Sequence, residues 1–225
     1  MVQDRTAQVL NAAIREFIRT GEPVSSGELF ERYRFGIRPA SIRNELHALT
    51  DEGYLAQSYH SAGRVPTDRG LEFFTERLLE EEYAVPRIAK AYVAFLGSSR
   101  WDDFLHMISA ELGVLGVVSD CAEGEVRKDG LEDLVEHLNW ESPKELKEVI
   151  RDFEALDLRM RSLMDSLENE VKVFIGKRSP ITRSAHLSVV LARCGEGKRE
   201  VVVAAIGPKR MDYEKVIGIF KELME

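Results

Sequence analysis

Ser41, Asn44 and His47 recur at intervals of three residues, with Arg43 beside them, in a stretch that also carries Ile42, Leu46 and Leu49. On a helix this spacing gathers the apolar side chains on one face and the four polar ones on another. Those four residue types can read nucleic-acid base edges. An arginine fork takes guanine O6 and N7, or a phosphate. Asparagine pairs a donor with an acceptor in the way that suits adenine, and serine and histidine add shorter-range partners in the same groove. The plainer alternative is the solvated side of an amphipathic helix. Soon afterwards comes Ser61-Ala62-Gly63-Arg64-Val65-Pro66-Thr67, in which Arg64 is the one large polar side chain. Small residues let backbone approach phosphates closely, and an arginine near the tip of such a loop is expected to probe a minor groove. A generic surface turn is the competing reading.

These residues need a frame, and the flanking sequence supplies one. Val9, Leu10, Ala13, Ile14, Phe17 and Ile18 form one apolar face of a helix from Asp4 to Thr20, ended by Gly21 and Pro23. Ser25 or Ser26 is placed to cap a second helix, 26–34, with Leu29, Phe30 and Tyr33 inward. Pro39 suits the first position of a third, 39–52, which Gly53 stops. Tyr54-Leu55-Ala56-Gln57 has a strand pattern, and Thr67 or Asp68 begins a fourth helix to about Glu82, with Leu71, Phe74 and Leu78 inward. Three helices, a strand, a glycine-bent loop and a return predict a winged helix-turn-helix. In it Arg38 and Arg69 are expected at phosphates.

Glu80-Glu81-Glu82 and Pro86 suggest a boundary, giving a DNA-binding domain over 1–83 and a second domain over 84–225. The second part is predicted to hold helices near 87–97, 100–111, 129–138, 143–167 and 212–224. Strands are predicted at 114–119, 171–175, 186–193 and 200–206, the last two joined by a hairpin turn at Cys194-Gly195-Glu196-Gly197-Lys198. Gly176 and Gly207 are read as tight turns after strands, and Asp212 as a carboxylate at a helix start. The fold class is therefore α+β, with a small, largely antiparallel sheet in the second domain.

Composition narrows the function classes. A chain of 225 residues with 44% apolar content suits two globular domains. Its apolar runs are too short to cross a bilayer and its start has no signal-peptide pattern, so a cytoplasmic location is expected. Cys121 and Cys194 form no redox or metal motif, and the five histidines show no metal-ligand spacing. No nucleophile elbow, phosphate-binding glycine loop or paired-carboxylate constellation is present, so neither enzyme activity nor a cofactor is expected. The net charge of −8 runs against nucleic-acid binding. Residues 1–77, however, hold ten arginines against eleven acids, and affinity for phosphate depends on where the positive charges are placed.

Gly21-Glu22-Pro23-Val24, Ser41-Ile42-Arg43-Asn44-Glu45-Leu46 and Ser61-Ala62-Gly63-Arg64-Val65-Pro66-Thr67-Asp68 resemble the N-terminal domain of the HrcA heat-inducible transcription repressors. Val173-Phe174-Ile175-Gly176 and Ile206-Gly207-Pro208-Lys209-Arg210-Met211-Asp212-Tyr213 resemble that family's closing motifs. The resemblance implies a repressor that binds, as a homodimer, an inverted-repeat operator on double-stranded DNA ahead of chaperone genes. It also implies a chaperonin co-regulator and a GAF-like second domain. Carried over by motif, the operator contacts centre on Arg43, Asn44, Ser61, Gly63 and Arg64. With the flanking polar residues, the expected DNA-binding set is Arg38, Ser41, Arg43, Asn44, His47, His60, Ser61, Gly63, Arg64 and Arg69. Relative to the family the chain is short between Ser119 and Gly130, where further strands and a dimerising insertion are implied. The second domain is thus read as a reduced GAF-like regulatory and dimerisation domain.

Leu146, Val149, Phe153, Leu156, Met160, Leu163 and Leu167 alternate spacings of three and four, a seam suited to a coiled-coil dimer. The same stripe can pack on the domain's own sheet, since Ile150 and Leu158 broaden it. A functional alternative is an adaptor that keeps the winged-helix shape and binds proteins without reading DNA.

Overall fold

The computed structural model describes residues 4–57, 63–81, 100–138, 143–163, 167–195 and 200–224. The predicted helix at 87–97, His60, Ser61 and most of the 194–198 turn lie outside these residues. The chain divides into two compact units, Met1–Arg77 and Leu78–Glu225.

In the first unit, α1 (Asp4–Thr20), α2 (Ser26–Arg32) and α3 (Pro39–Asp51) precede a two-stranded antiparallel ribbon, β1 (Leu55–Ala56) with β2 (Val65–Pro66). The ribbon leads into α4 (Asp68–Glu80). Gly21, at φ 73°, ends α1, a backbone conformation that glycine adopts without Cβ strain. Ser25 caps α2 through a reciprocal capping box: Glu28 N–H donates to the Ser25 hydroxyl at 3.2 Å, and Ser25 N–H to the Glu28 carboxylate at 2.7 Å. Leu10, Ile14, Leu29, Ile42, Leu46, Leu49 and Phe74 are all buried and form the centre of the unit. Phe30 departs from the expected pattern. It is 47% exposed, because α2 ends at Arg32 and is too short to bury two faces.

Glu16 joins α1 to α2 electrostatically. Its carboxylate takes hydrogen bonds from Arg19 and pairs with Arg32 at 3.4 Å. The Arg19 hydrogen bond holds the Glu16 carboxyl below its ordinary range, against the opposing pull of burial. A depressed carboxylate stabilises the fold above its unfolded pKa, and that stability is lost as pH falls through the folded value. Glu16→Gln should therefore lower stability near neutrality, where the charged carboxylate contributes fully, and flatten the acid limb of the unfolding curve below about pH 4.5. Acid titration followed by circular dichroism checks this.

The second unit is built on five strands, all antiparallel, in the order β4-β3-β7-β6-β5. They are β3 (Leu115–Asp120), β4 (Val126–Asp129), β5 (Lys172–Ile175), β6 (Leu187–Cys194) and β7 (Val201–Pro208). Among the described residues they are accompanied by the helices α5 (Trp101–Leu112), α6 (Leu131–His137), α7 (Pro143–Leu163) and α8 (Tyr213–Met224). The architecture is α+β. Strand β4 lies in the segment expected to lack strands. It has no apolar alternation and is held by charge: Arg127 pairs with Asp102 of α5 at 3.0 Å, and Lys128 with Asp157 of α7 at 2.7 Å. Neighbouring residues point to opposite faces of a strand, so this edge strand is tied to a helix on each side.

The apolar stripe of α7 faces the unit's own sheet. Val149, Leu156 and Met160 are buried against Leu115, Val117, Leu191 and Ile206, with Phe153 and Leu163 packed on the same cluster. Val149, Leu156 and Met160 are thus covered by the unit's own sheet, the second of the two uses expected for this stripe. Leu146, at 36% exposed, stands at the rim. Gly207 is not a turn residue. It sits inside β7, where a Cβ would stand 2.8 Å from Met211 Sδ. Gly176, at φ 58°, does serve a turn after β5. Asp212 accepts the Lys215 N–H at 3.1 Å at the start of α8, and Tyr213 is fully buried with its hydroxyl 2.7 Å from Ser188 Oγ.

Candidate nucleic-acid interface

Helix α3 is fixed on three sides. Ile42, Leu46 and Leu49 are buried beneath it, and Glu45 accepts a 2.7 Å hydrogen bond from Thr6 of α1. Its C-terminus closes in a Schellman motif: Gly53, at φ 77°, donates to Thr50 O at 3.0 Å and Tyr54 to Leu49 O at 2.9 Å. Sequence reading placed Pro39 and Gly53 at the ends of this helix, and both stand there. The side left open carries Arg43, Asn44 and His47, all exposed, with Ser41 half-buried beside them. Arg38 is exposed at the N-cap and makes no side-chain cap bond.

Arg69, expected at a phosphate, is engaged within the unit. Its guanidinium stacks on the Tyr54 ring at 4.3 Å and donates to Glu52 O and the Tyr54 hydroxyl. The Thr67 hydroxyl lies 2.7 Å from Gly53 O and accepts the Gly70 N–H at 3.1 Å, so one side chain both joins the α3 terminus and caps α4. Arg69 and Thr67 together hold the C-terminal end of α3. Sequence reading gave Thr67 only the second of these roles. The Gly-Tyr pair after α3 and Thr-Asp-Arg at the next helix start were the signals available.

The loop is pinned from the other side. Arg64 and Val24 exchange two backbone hydrogen bonds of 2.8 Å, an isolated bridge between the ribbon and the α1–α2 connection. Gly63 lies so close to that connection that a Cβ would stand 2.5 Å from the Pro23 carbonyl carbon and oxygen. Gly63→Ala must displace backbone, and a cost of about 1–3 kcal/mol is expected from such overpacking. Urea unfolding should show a lower midpoint at unchanged slope.

Arg64 corrects a second expectation. The residue is only 7% exposed, and its Nε is buried without a hydrogen-bond partner. A side chain so enclosed does not extend from a loop tip. Burial pushes its guanidinium pKa down, and the positive charge of Arg43 adds to the effect. The structure thus brings Arg43 and Arg64 within electrostatic reach of each other. Sequence spacing gave no sign of it. Sequence reading also missed an open groove at the N-terminus of α3, lined by Phe30, Tyr33, Arg34, Phe35 and Arg38, in which Tyr33 and Phe35 stack at 5.9 Å.

The model of the family described as HrcA protein C terminal domain matches residues 76–217, more than half of the chain. The chain belongs to the HrcA family. Among curated relatives of this HrcA-family chain, the heat-inducible transcription repressor HrcA of Streptomyces avermitilis is 47% identical over 78 residues, covering 35% of this chain and 23% of that protein. The protein of the same name from Kineococcus radiotolerans is 40% identical over 106 residues, 47% of this chain and 31% of that one. The matches therefore span less than a third of those relatives' lengths. A crystal structure described as a hypothetical protein superposes with a TM-score of 0.75 at 18% identity, covering 100% of this chain and 97% of that one. At that identity the likeness is one of fold. Among the described residues no helix is long and apolar enough to cross a membrane, and no group of three or more His, Cys, Asp or Glu side chains could hold a metal ion. Both cysteines are free thiols, with burial pushing Cys194 up to about 12.

Proposed function

We propose that this chain is a sequence-specific DNA-binding repressor of heat-shock and chaperone genes, acting as a homodimer on an inverted-repeat operator. In this reading residues 1–83 are a winged helix-turn-helix, with α3 as recognition helix and the β1–β2 ribbon as wing. Residues 84–225 are a reduced GAF-like regulatory and dimerisation domain. The observation that carries the reading is the outward face of α3: Arg43, Asn44 and His47 stand exposed on a helix whose other sides are fixed. A rigid helix with an open polar face is what major-groove readout requires. The relatives, heat-inducible transcription repressors by name, support the repressor assignment. Arg38 serves a phosphate at the start of the helix, Ser41, His60 and Ser61 are flanking contacts, and a chaperonin acts as co-regulator.

Selection of fragments from the native genome with the full chain tests this. Recovery of an inverted repeat upstream of chaperone genes, bound with steep salt dependence, is the expected result. Recovery of no enriched sequence overturns it. The exposed Phe30 beside Arg34 and Arg38 favours one second reading, an adaptor that binds protein through that groove. Absence of any enriched fragment together with chaperonin binding lost in Phe30→Ser would establish the adaptor instead.

A further inference from the structure

Arg64 carries a charge that no carboxylate among the described residues answers. Its side chain is more than nine-tenths buried, its Nε has no partner, and the neighbouring charge acting on it is the cation Arg43. Among the described residues no ion pair joins a carboxylate to either arginine. A guanidinium does not give up its proton at neutral pH, so loss of the charge cannot relieve the site. Backbone movement cannot relieve it cheaply either. Two 2.8 Å bonds hold Arg64 to Val24, and Gly63 is pressed against Pro23. Buried charges are normally paired, and an exception held this firmly calls for an explanation in function. The remaining remedy is an anion supplied from outside.

We infer that the Arg64 guanidinium is a preformed seat for one phosphodiester oxygen of duplex DNA, filled only on binding, while exposed Arg43 passes beside it to the bases. The inference rests on the DNA-binding reading and refines it, since Arg64 then adds affinity for every sequence alike and reads none. The empty seat also weakens the free protein, because the cation is desolvated without a counter-charge. One side chain therefore acts in opposite directions on stability and on binding. Free phosphate offers the same oxygens and should fill the seat weakly by itself.

Unfolding of the full chain in chloride and in inorganic phosphate at matched ionic strength tests the seat. Wild type, Arg64→Met and Arg64→Lys are compared, with duplex affinities for operator and scrambled DNA across a salt series. Methionine keeps the aliphatic packing without the charge. Phosphate should raise the wild-type unfolding midpoint, leave Arg64→Met unmoved and act partly on Arg64→Lys. In chloride, Arg64→Met should unfold at or above the wild-type temperature. Its affinity for both duplexes should fall by one common factor of about tenfold, with the log–log salt slope reduced by about one. A less stable Arg64→Met, protected by phosphate as well as wild type is, overturns the inference and makes Arg64 a packing residue. A loss confined to operator DNA overturns it in favour of base reading. Should Arg64→Met be too unstable to purify, an equal phosphate effect on wild type and Arg64→Lys is the overturning result. If no duplex binds wild type while phosphate protection still requires Arg64, the DNA reading fails and the occupant is free phosphate.

Discussion

Arg43→Ala should cost about 1–3 kcal/mol at a single base pair of each operator half-site, with little change in binding to scrambled DNA. The geometry gives the reason. Arg43 is exposed on a helix whose neighbours Ile42 and Leu46 are fully buried and whose Glu45 is bonded to Thr6 at 2.7 Å. Rotation of α3 to compensate would expose that core, so the truncated position leaves its base edge unread. Competition binding against operators substituted one position at a time makes the loss visible: the variant should become indifferent at one position and remain discriminating at the others. Arg38→Ala is the contrast. Placed at the N-cap without a cap bond, it should weaken all sequences by a similar factor. If Arg43→Ala instead keeps the wild-type preference at every operator position, base reading by α3 is refuted.

A comparable effect on stability is expected at Asp152. This α7 carboxylate is 4% exposed and accepts from Arg159 Nη1 at 2.6 Å. It also accepts the backbone N–H groups of Arg183 at 2.8 Å and Ser184 at 2.9 Å. Arg159 reaches on to the Ile181 carbonyl at 2.8 Å, so one pair of charges ties α7 to the segment before β6. Asp152→Ala leaves two backbone donors and a largely buried guanidinium unanswered, and a cost of about 3–5 kcal/mol is expected. Set against a total stability of about 5–15 kcal/mol, that is a large part of what holds a domain together. Asp152→Asn should recover some of it, since an amide oxygen still accepts. Both tryptophans, Trp101 and Trp140, lie in the second unit's sequence, so fluorescence-monitored urea unfolding reports on it. A midpoint within error of wild type would show that the α7 stripe alone holds the helix in place.

The Asp152 network also shows where sequence reading stops. The backbone groups that bond the Asp152 carboxylate lie some thirty residues away along the chain, and nothing in the spacing of α7 points to them. The helix itself was legible, as were its apolar stripe and both possible uses of that stripe. Periodicity says which side of a helix is apolar and not what lies across from it. Strand β4 was missed for a related reason. Val126-Arg127-Lys128-Asp129 has no alternation to read, and its pairing depends on β3 and on carboxylates from two helices.

Local chemistry and tertiary contact thus divided the candidate interface between them. The sequence by itself determined α1 to α4, the ends of α3 through Pro39 and Gly53, and the polar character of the α3 face. Each of these follows from φ/ψ limits and a 3.6-residue period acting over a few neighbours. Only the tertiary structure decided that Arg69 clamps the end of α3, that Phe30 stays in solvent, and that Arg64 is buried beside Arg43. A long cationic side chain can reach outward to solvent or fold back onto its own protein. Side-chain type does not choose between them; the packing of distant segments does.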